Sequence, residues 1–348
     1  MKFIHMADMH FDAPFTNLSD KENFGNIRRM EQRAVFKKII DYIKDNDIKY
    51  LFISGDLYEH QHIRNTTINY INNLFKEIPN TKIFISPGNH DPYLNNSIYA
   101  NFNWNNNVII FNSNIKKYSY EDVDIYGYGF TDFYCENSII NNLKIENKNK
   151  INILVMHANL DQISDKKYNE VKTKDLDKLE FDYIALGHIH KPMKVGSETI
   201  RYCGTPMAYS VSEAGQKKGI LMVDIGEKEA EVEVTNLPLT PMRNVRIIEG
   251  KFEELIKEHS EDFVTVELTD TEEIEALDMQ ERLKIAFPKL LEIRRNNVRR
   301  IDNELEIETE DTLKSPYELI CKFIPSLKDD EKELIKNVIN EVMLKEGE

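Results

Sequence analysis

Along the first 190 residues, short apolar or β-branched runs alternate with segments of helical periodicity. The runs at residues 2–7, 50–54, 83–86, 153–156 and 183–186 all stop at polar or glycine-containing clusters. The clusters are, in turn, Asp8 with His10, Gly55-Asp56, Gly88-Asn89-His90, His157 and Gly187-His188. Runs of this length, bounded this way, predict strands. Between the first two, residues 27–43 predict a helix on which Met30, Ala34, Ile39 and Ile43 share a face. Strands alternating with helices predict an α/β layered domain, with functional loops at the C-terminal ends of its strands.

Beyond Gly187 the pattern changes to strands at 199–202, 219–224 and 229–236, expected to complete a second sheet packed on the first. Leu237-Pro238-Leu239-Thr240-Pro241 predicts a linker, because two prolines in four residues oppose both helix and central strand. Strands are then predicted at 244–249, 263–268 and 289–293, with helices near 252–258 and 279–287. The reading is a domain of 1–236, a small α+β cap of 237–297 and a C-terminal segment of 298–348. In that last segment 298–314 is charge-rich and linker-like. Ser315-Pro316-Tyr317-Glu318 has capping-box form and opens a helix that Pro325 ends. Apolar stripes follow, with Leu319, Ile320 and Phe323 on the first helix and Leu334, Val338 and Val342 on a second.

The composition, 41% hydrophobic and 30% charged, is that of an ordinary globular chain. The N-terminus lacks the apolar core of a signal peptide, and no apolar run is long enough to span a bilayer. Cys135, Cys203 and Cys321 are odd in number and far apart, so a disulfide framework is not predicted and a cytoplasmic location is expected. The net charge of −15 argues against nucleic acid until it is divided along the chain. Residues 241–348 carry 17 basic side chains against 28 acidic ones, leaving only −4 for residues 1–240. Bound divalent cations would shift that local balance toward positive.

The chemistry sits in five elements: Asp8-Met9-His10, Gly55-Asp56, Gly88-Asn89-His90-Asp91, Met156-His157-Ala158 and Gly187-His188-Ile189-His190. In Asp8-x-His10 and His188-x-His190 the spacing of two puts both side chains on one face of an extended backbone. Glycine before a ligand lets the chain turn tightly at the strand end. Seven candidate ligands result: Asp8, His10, Asp56, Asn89, His157, His188 and His190. Carboxylate, imidazole and amide oxygen without thiolate suit Mn, Fe or Zn. Two such ions roughly 3.5–4 Å apart suit in-line phosphoryl displacement. Any one element alone reads as well as a turn or a solvated histidine; the order and strand-end placement of all five carry the case. The four remaining histidines weigh less. His5 reads as a satisfied mid-strand side chain and His259 as a solvated one. His60 and His62 follow Asp56 closely enough to reach a substrate, though loop histidines are often simply hydrated.

These elements resemble the calcineurin-like metallophosphoesterase superfamily over residues 1–190, which implies a four-layer αββα sandwich. The resemblance implies Asp8, His10 and His190 on one metal, Asn89, His157 and His188 on the other, and Asp56 between them. It further implies that His90 protonates the leaving oxygen while Asp91 orients it. A narrower resemblance, to SbcD-type nucleases, rests on Ala185 to Pro192, Arg201-Tyr202-Cys203-Gly204-Thr205-Pro206 and Glu213 to Gly219. It implies a Mn-dependent 3′→5′ exonuclease and single-strand endonuclease acting on DNA, a homodimer, and an SbcC-type coiled-coil ATPase docked by the C-terminal helices. Some members carry a histidine three residues after the bridging aspartate; here that position is Glu59, with His60 one further on.

Other readings stay open. A protein phosphatase of this superfamily carries Asp-Arg-Gly after the bridging Asp, where this chain has Leu57-Tyr58-Glu59, and Asn-His-Glu where it has Asp91. A phosphodiesterase acting on nucleotides fits the first 190 residues as well. A non-catalytic DNA-binding scaffold would normally have lost a ligand. Arg294, Arg295, Arg299 and Arg300 form a basic cluster suited either to DNA phosphates or to a solvated face.

Overall fold

Strict alternation sorts the central strands' side chains between two buried faces. In β1 (Lys2–Met6) Phe3 and His5 turn toward one face, Ile4 and Met6 toward the other. The computed structural model describes residues 1–15, 23–135, 140, 143–161, 168–228, 231–270, 276–295, 331–332 and 334–335.

The strands that follow are β2 (Tyr50–Ile53), β3 (Lys82–Ile85), β4 (Val108–Ile110), β5 (Lys116–Ser119), β6 (Val123–Gly127) and β7 (Ile151–His157). After a short pair, β8 (Asn159–Leu160) and β9 (Glu170–Val171), come β10 (Tyr183–Gly187), β11 (Met193–Val195) and β12 (Ser197–Tyr202). β13 (Gly219–Ile225) and β14 (Val232–Pro238) end this part of the chain. Two six-stranded sheets result, ordered β14-β13-β1-β2-β3-β4 and β11-β12-β10-β7-β6-β5. Both are parallel at their centres, with antiparallel pairing at the β13–β14 edge of the first and at both edges of the second.

Between the sheets lie Phe3, Phe52, Phe84, Ile153, Val155 and Tyr183. Phe3 meets Phe52 and Tyr183 edge-on, with ring centroids 4.9 and 5.2 Å apart. Helices α1 (Phe24–Asp45) and α2 (Asn65–Lys76) cover the outer face of the first sheet through Phe36, Ile39, Ile71 and Phe75. Leu154, Met156, Ile184 and Leu186 form the opposite outer face, under Leu143, Leu176 and Phe181. This is the layered α/β sandwich the alternation predicts.

Three expectations change. On α1 the buried stripe runs through Arg28, Glu31, Gln32, Val35, Phe36, Ile39 and Ile43, while Met30 is exposed and Ala34 only half-buried. The polar members are buried because each has a partner: Gln32 Nε2 donates to the His10 carbonyl at 3.0 Å, and Arg28 Nη1 to Glu31 at 2.7 Å. Second, β13 and β14 join the first sheet rather than the second, β13 lying antiparallel to β1. Third, the predicted linker begins inside β14, whose last residue Pro238 pairs with Gly219 on the sheet edge, where a missing N–H is tolerated.

Residues 245–295 form a parallel three-stranded sheet, β15 (Val245–Gly250), β16 (Phe263–Leu268) and β17 (Lys289–Arg295), with helices Phe252–Leu255 and Ala276–Ala286. Its own core is Val264, Val266, Leu268, Leu283 and Phe287. It belongs to the same unit, Met1–Asn296, and is seated on α1 by Arg28. That guanidinium is fully buried, lies 5.5 Å from the Phe263 ring centre, and donates to the Arg243 carbonyl at 2.8 Å and to the Ala208 carbonyl. Glu31 in turn holds Arg243 at 2.7 Å. Removing one partner of a buried ion pair typically costs about 3–5 kcal/mol. Arg28→Ala should therefore lower stability by about 3 kcal/mol, the lower end of that range, because Glu31 keeps Arg243. Urea unfolding checks this, and a loss below about 1 kcal/mol would show that the seating does not depend on Arg28.

The second unit is Asn297–Glu348. Of its residues, 331–332 and 334–335 are described; they are helical, and Leu334 is exposed. The charge-rich stretch 298–314, with Arg299 and Arg300, and Leu319, Ile320, Phe323, Val338 and Val342 lie outside the described residues. Among the described residues no helix is long and apolar enough to cross a membrane.

Candidate metal centre

All seven candidate ligands lie at or just beyond the C-terminal ends of parallel strands: β1 and β2, β3, β7 and β10. The way they converge differs from the extended spacing expected of them. β1 stops at Met6, and Asp8, His10, Asp56 and His188 all adopt positive φ (51°, 47°, 53° and 107°). Short polar side chains such as Asp tolerate this region best. The amides of Asp8, His10 and Phe11 donate to the carbonyls of Gly55, Asp56 and Leu57 at 2.8–3.0 Å. The two ligand loops are thus zipped together, and left-handed residues turn their carboxylates and imidazoles inward.

Close approach of neighbouring backbone and ligand loops requires glycine at two points. A Cβ on Gly187 would stand 1.8 Å from the Ser54 carbonyl oxygen, and one on Gly88 would stand 2.3 Å from Asp56 Oδ1. Larger residues there would push the sheets or the loops apart.

Asp56 is at the centre of the cluster. Its Oδ2 lies 3.7 Å from His10 Nε2 and 3.4 Å from His157 Nε2, and its Oδ1 accepts from the His90 amide at 2.9 Å. On one side, ligand atoms of Asp8, His10 and His190 all lie within 4.8 Å of one another; on the other, so do those of Asp8, Asp56 and His157. Asn89 Oδ1 is 3.0 Å from His157 Nε2, and the His188 ring packs edge-on against His157. The His188 amide donates to Asp8 Oδ1 at 3.0 Å.

These side chains fit divalent cations on their own hydrogen-bond chemistry. His10 Nδ1 is committed to Glu59 (2.7 Å), His190 Nδ1 to Glu213 (3.1 Å) and His157 Nδ1 to the Ser54 carbonyl (2.9 Å). Each Nδ1 therefore carries the proton and each Nε2 a lone pair. Yet His10 Nε2 faces His190 Nε2 at 3.2 Å, and His157 Nε2 faces the Asn89 oxygen at 3.0 Å. Acceptors facing acceptors in this way are satisfied by a cation between them. Carboxylates bonded to the far nitrogen of a ligating histidine, as Glu59 and Glu213 are, fix its tautomer and strengthen it as a ligand.

The electrostatics agree. Burial raises the Asp8 carboxyl above the usual carboxylate range. Burial also works against Asp56, but the imidazoles of His157, His10 and His90 outweigh it and hold that carboxyl below its ordinary value. Burial beside His157 drops the His188 imidazole to about 3, so it stays neutral and available as a ligand. At the rim, burial opposes charge on His90, but Glu59 and the nearby Asp56 raise it to about 9.

The residue held against His90 is not the one expected. Asp91 Oδ1 accepts from the amides of Asp56 and Gly88 at 3.0 and 2.7 Å. Its Oδ2 takes the Leu57 amide at 2.7 Å and the Tyr99 hydroxyl at 2.6 Å. Asp91 therefore ties the two ligand loops together, and the carboxylate on the His90 ring belongs to Glu59, at 2.9 Å. His60 stacks edge-on against Phe133. His5 is a satisfied core residue, bonded to Tyr183 Oη and the Leu186 carbonyl at 2.9 and 3.2 Å. Glu213 stands out in sequence only as part of a motif, yet it also holds Lys218 at 2.8 Å and Thr205 at 3.1 Å. Its link to His190, 23 positions away in sequence, leaves no local spacing signal. Arg294 is bound by Glu267 and Glu292, at 3.4 and 2.8 Å, which favours the solvated face for that arginine.

Comparison with known proteins agrees with this geometry. The family profile described as calcineurin-like phosphoesterase matches residues 1–192, and the one described as Type 5 capsule protein repressor C-terminal domain matches residues 240–326. The chain is 26% identical over 334 residues to the SbcD component of the nuclease SbcCD of Staphylococcus epidermidis, covering 84% of each chain. A solved structure described as "GAP50 the anchor in the inner membrane complex of Plasmodium" aligns over 69% of this chain and 89% of its own. Its identity of 11% and TM-score of 0.35 leave it without weight for function.

Proposed function

Because the chain belongs to the calcineurin-like phosphoesterases and is a metallophosphoesterase of the SbcD type, we propose that its paired ligand cluster hydrolyses DNA phosphodiesters. In this reading it is a Mn-dependent 3′→5′ exonuclease and single-strand endonuclease, working as a homodimer with an SbcC-type coiled-coil ATPase. The observation that carries it is the position of Asp56 Oδ2, within 3.7 Å of His10 Nε2 and 3.4 Å of His157 Nε2. A shared carboxylate between two histidine-rich half-sites is what a two-cation phosphoesterase requires. Cations held there supply Lewis acidity, neutralising the phosphodiester and making a water nucleophilic near neutral pH.

Asp8, His10 and His190 would hold one cation, Asn89, His157 and His188 the other, with Asp56 shared. His90, 45% exposed at the rim, would give the leaving oxygen its proton. A cleft of about 260 Å³ opens beside it, lined by Glu59, His60, Asn89, Phe133 and Tyr168. Aromatic rings beside a phosphodiester site suit an unstacked base, which supports nucleic acid over a phosphoprotein. In this reading residues 1–236 carry the chemistry, 237–297 face the DNA, and 298–348 dock the ATPase through apolar helical stripes.

One experiment tests both halves of the proposal. Duplex, hairpin and short single-stranded DNA and a phosphoprotein are offered to the full chain and to a chain lacking 312–348, with Mn or with chelator. Cleavage of DNA alone, abolished by chelator, is expected of both proteins, and only the full chain should co-purify with the ATPase. Dephosphorylation of the protein substrate would overturn the nuclease reading. An insoluble or inactive truncation would show that the C-terminal helices belong to the enzyme's own core.

A further inference from the structure

Two motifs that mark this chain in sequence, Arg201 to Pro206 and Glu213 to Gly219, close on the last ligand of the cluster. His190 is gripped at both its ring and its backbone. Its Nδ1 bonds Glu213 Oε1 at 3.1 Å, and its carbonyl accepts from the Thr205 amide at 3.0 Å and from Lys218 Nζ at 2.7 Å. Glu213 Oε2 takes Lys218 Nζ at 2.8 Å and Thr205 Oγ1 at 3.1 Å, which closes the ring of contacts. The Glu213 and Lys218 side chains are only 9% and 6% exposed, and a satisfied network shielded from water in this way is stiff.

Glu213 has one more partner, and it leads away from the cluster. The Tyr209 amide donates to Oε2 at 3.2 Å. The other end of that same peptide group is the Ala208 carbonyl, which accepts from Arg28 Nη2. Arg28 is the residue that seats the three-stranded unit, through the Phe263 ring and the Arg243 carbonyl. A peptide group is planar and rigid, so the Ala208–Tyr209 plane is held between the seat and the clamp on His190. Apolar packing follows the same route: Met207 and Tyr209 share a buried cluster with Val245, Phe263 and Leu291 of that unit. The Tyr209 ring lies edge-on to His10 and His190, with centroids 6.2 and 6.3 Å away, and its hydroxyl donates to the Met9 carbonyl at 2.6 Å.

We propose, on the reading of His190 as a cation ligand, that this peptide plane couples the seating of the three-stranded unit to the cluster, with Glu213 as the positioning residue. Displacing the unit pulls Arg28 from the Ala208 carbonyl and turns the plane that presents its amide to Glu213. Linkage makes the effect mutual, so a cation held at His190 tightens the seat.

Two substitutions at opposite ends of the route and one control test this in the full chain. Mn is titrated by calorimetry, and amide exchange across residues 244–268 is followed with and without Mn. Glu213→Gln keeps the size but offers one acceptor oxygen and a donor in place of the second. It should weaken one of two Mn-binding steps by about 10- to 100-fold. Arg28→Ala touches no ligand, yet should weaken the same step by about fivefold or more, the low end of coupling between sites. Leu283→Ala removes packing within the three-stranded unit alone and should bind Mn as wild type does. Mn should slow exchange across 244–268 in wild type by about fivefold or more and leave it unchanged in Glu213→Gln.

If Arg28→Ala and Leu283→Ala bind Mn alike, the coupling is overturned. Exchange that Mn slows equally in wild type and Glu213→Gln would overturn it too, and decides alone if Arg28→Ala fails to fold. A wild-type chain that binds no Mn would instead put the fault in the ligand reading, so the two failures are told apart.

Discussion

Asp56→Asn is expected to remove Mn binding at both half-sites and to cut DNA cleavage by roughly a thousandfold, the upper end of what one charge-stabilising group supplies. The substitution changes almost nothing but charge. The asparagine oxygen can still accept the His90 amide that Asp56 Oδ1 takes at 2.9 Å, and the backbone amide can still reach Asp91 at 3.0 Å. What disappears is the anionic Oδ2 between His10 and His157. Without it the cluster would have to hold two cations on Asp8 and neutral donors. The fold has no reason to fail, since asparagine matches aspartate in size and keeps both of those bonds, and a strand-end polar residue contributes little to the core. Metal-free wild type and variant should therefore melt within a few degrees of each other, while the Mn-dependent rise in Tm should be confined to wild type. Calorimetry gives the decision: two-site binding of undiminished affinity in Asp56→Asn would remove the shared-carboxylate assignment.

The same ligands show why some of this molecule was legible in sequence and some was not. The strand positions along the chain and the five ligand clusters could be read because each is local. An apolar run such as Tyr50–Ile53 and the Gly55-Asp56 after it lie within seven residues and obey rules of alternation and turn chemistry. Partnership across the chain could not be read. Glu59 and Asp91 are both carboxylates close to His90 in space, and the family resemblance implied Asp91 as its partner; the register of the loops gave Asp91 to the amides of Asp56, Leu57 and Gly88 instead.

On α1, apolar residues alone suggested a stripe through Met30, whereas the buried face accepts Arg28 and Glu31 because they satisfy each other against the three-stranded unit. β13 escaped its sheet assignment for a similar reason, since its pairing of Asp224 with Lys2 spans more than 200 positions. Nor does residue spacing forecast that Asp8 and His10 leave the extended region altogether. That follows from the zipper between their loop and Gly55–Leu57.

His90→Ala should separate the acid from the ligands. The variant is expected to keep both Mn-binding steps and its affinity for DNA while losing roughly a hundred- to ten-thousand-fold in kcat, the usual worth of a positioned proton donor. At about 1.4 kcal/mol per factor of ten, that is about 3–5.5 kcal/mol of transition-state stabilisation. Little else should change. The bond from residue 90 to Asp56 Oδ1 comes from the backbone amide, which alanine retains. The imidazole is 45% exposed, so no cavity forms, and water can solvate the Glu59 oxygen that it leaves. Glu59 keeps its bond to His10 at 2.7 Å, so the half-site of Asp8, His10 and His190 should be undisturbed. The loss should also depend on the leaving group, large for DNA and small for an aryl diester whose phenolate departs without a proton. A His90→Ala enzyme that cleaves DNA at nearly the wild-type rate would mean that solvent protonates the leaving oxygen. The pairing of Glu59 with His90 would then serve the ordering of the rim rather than the chemistry.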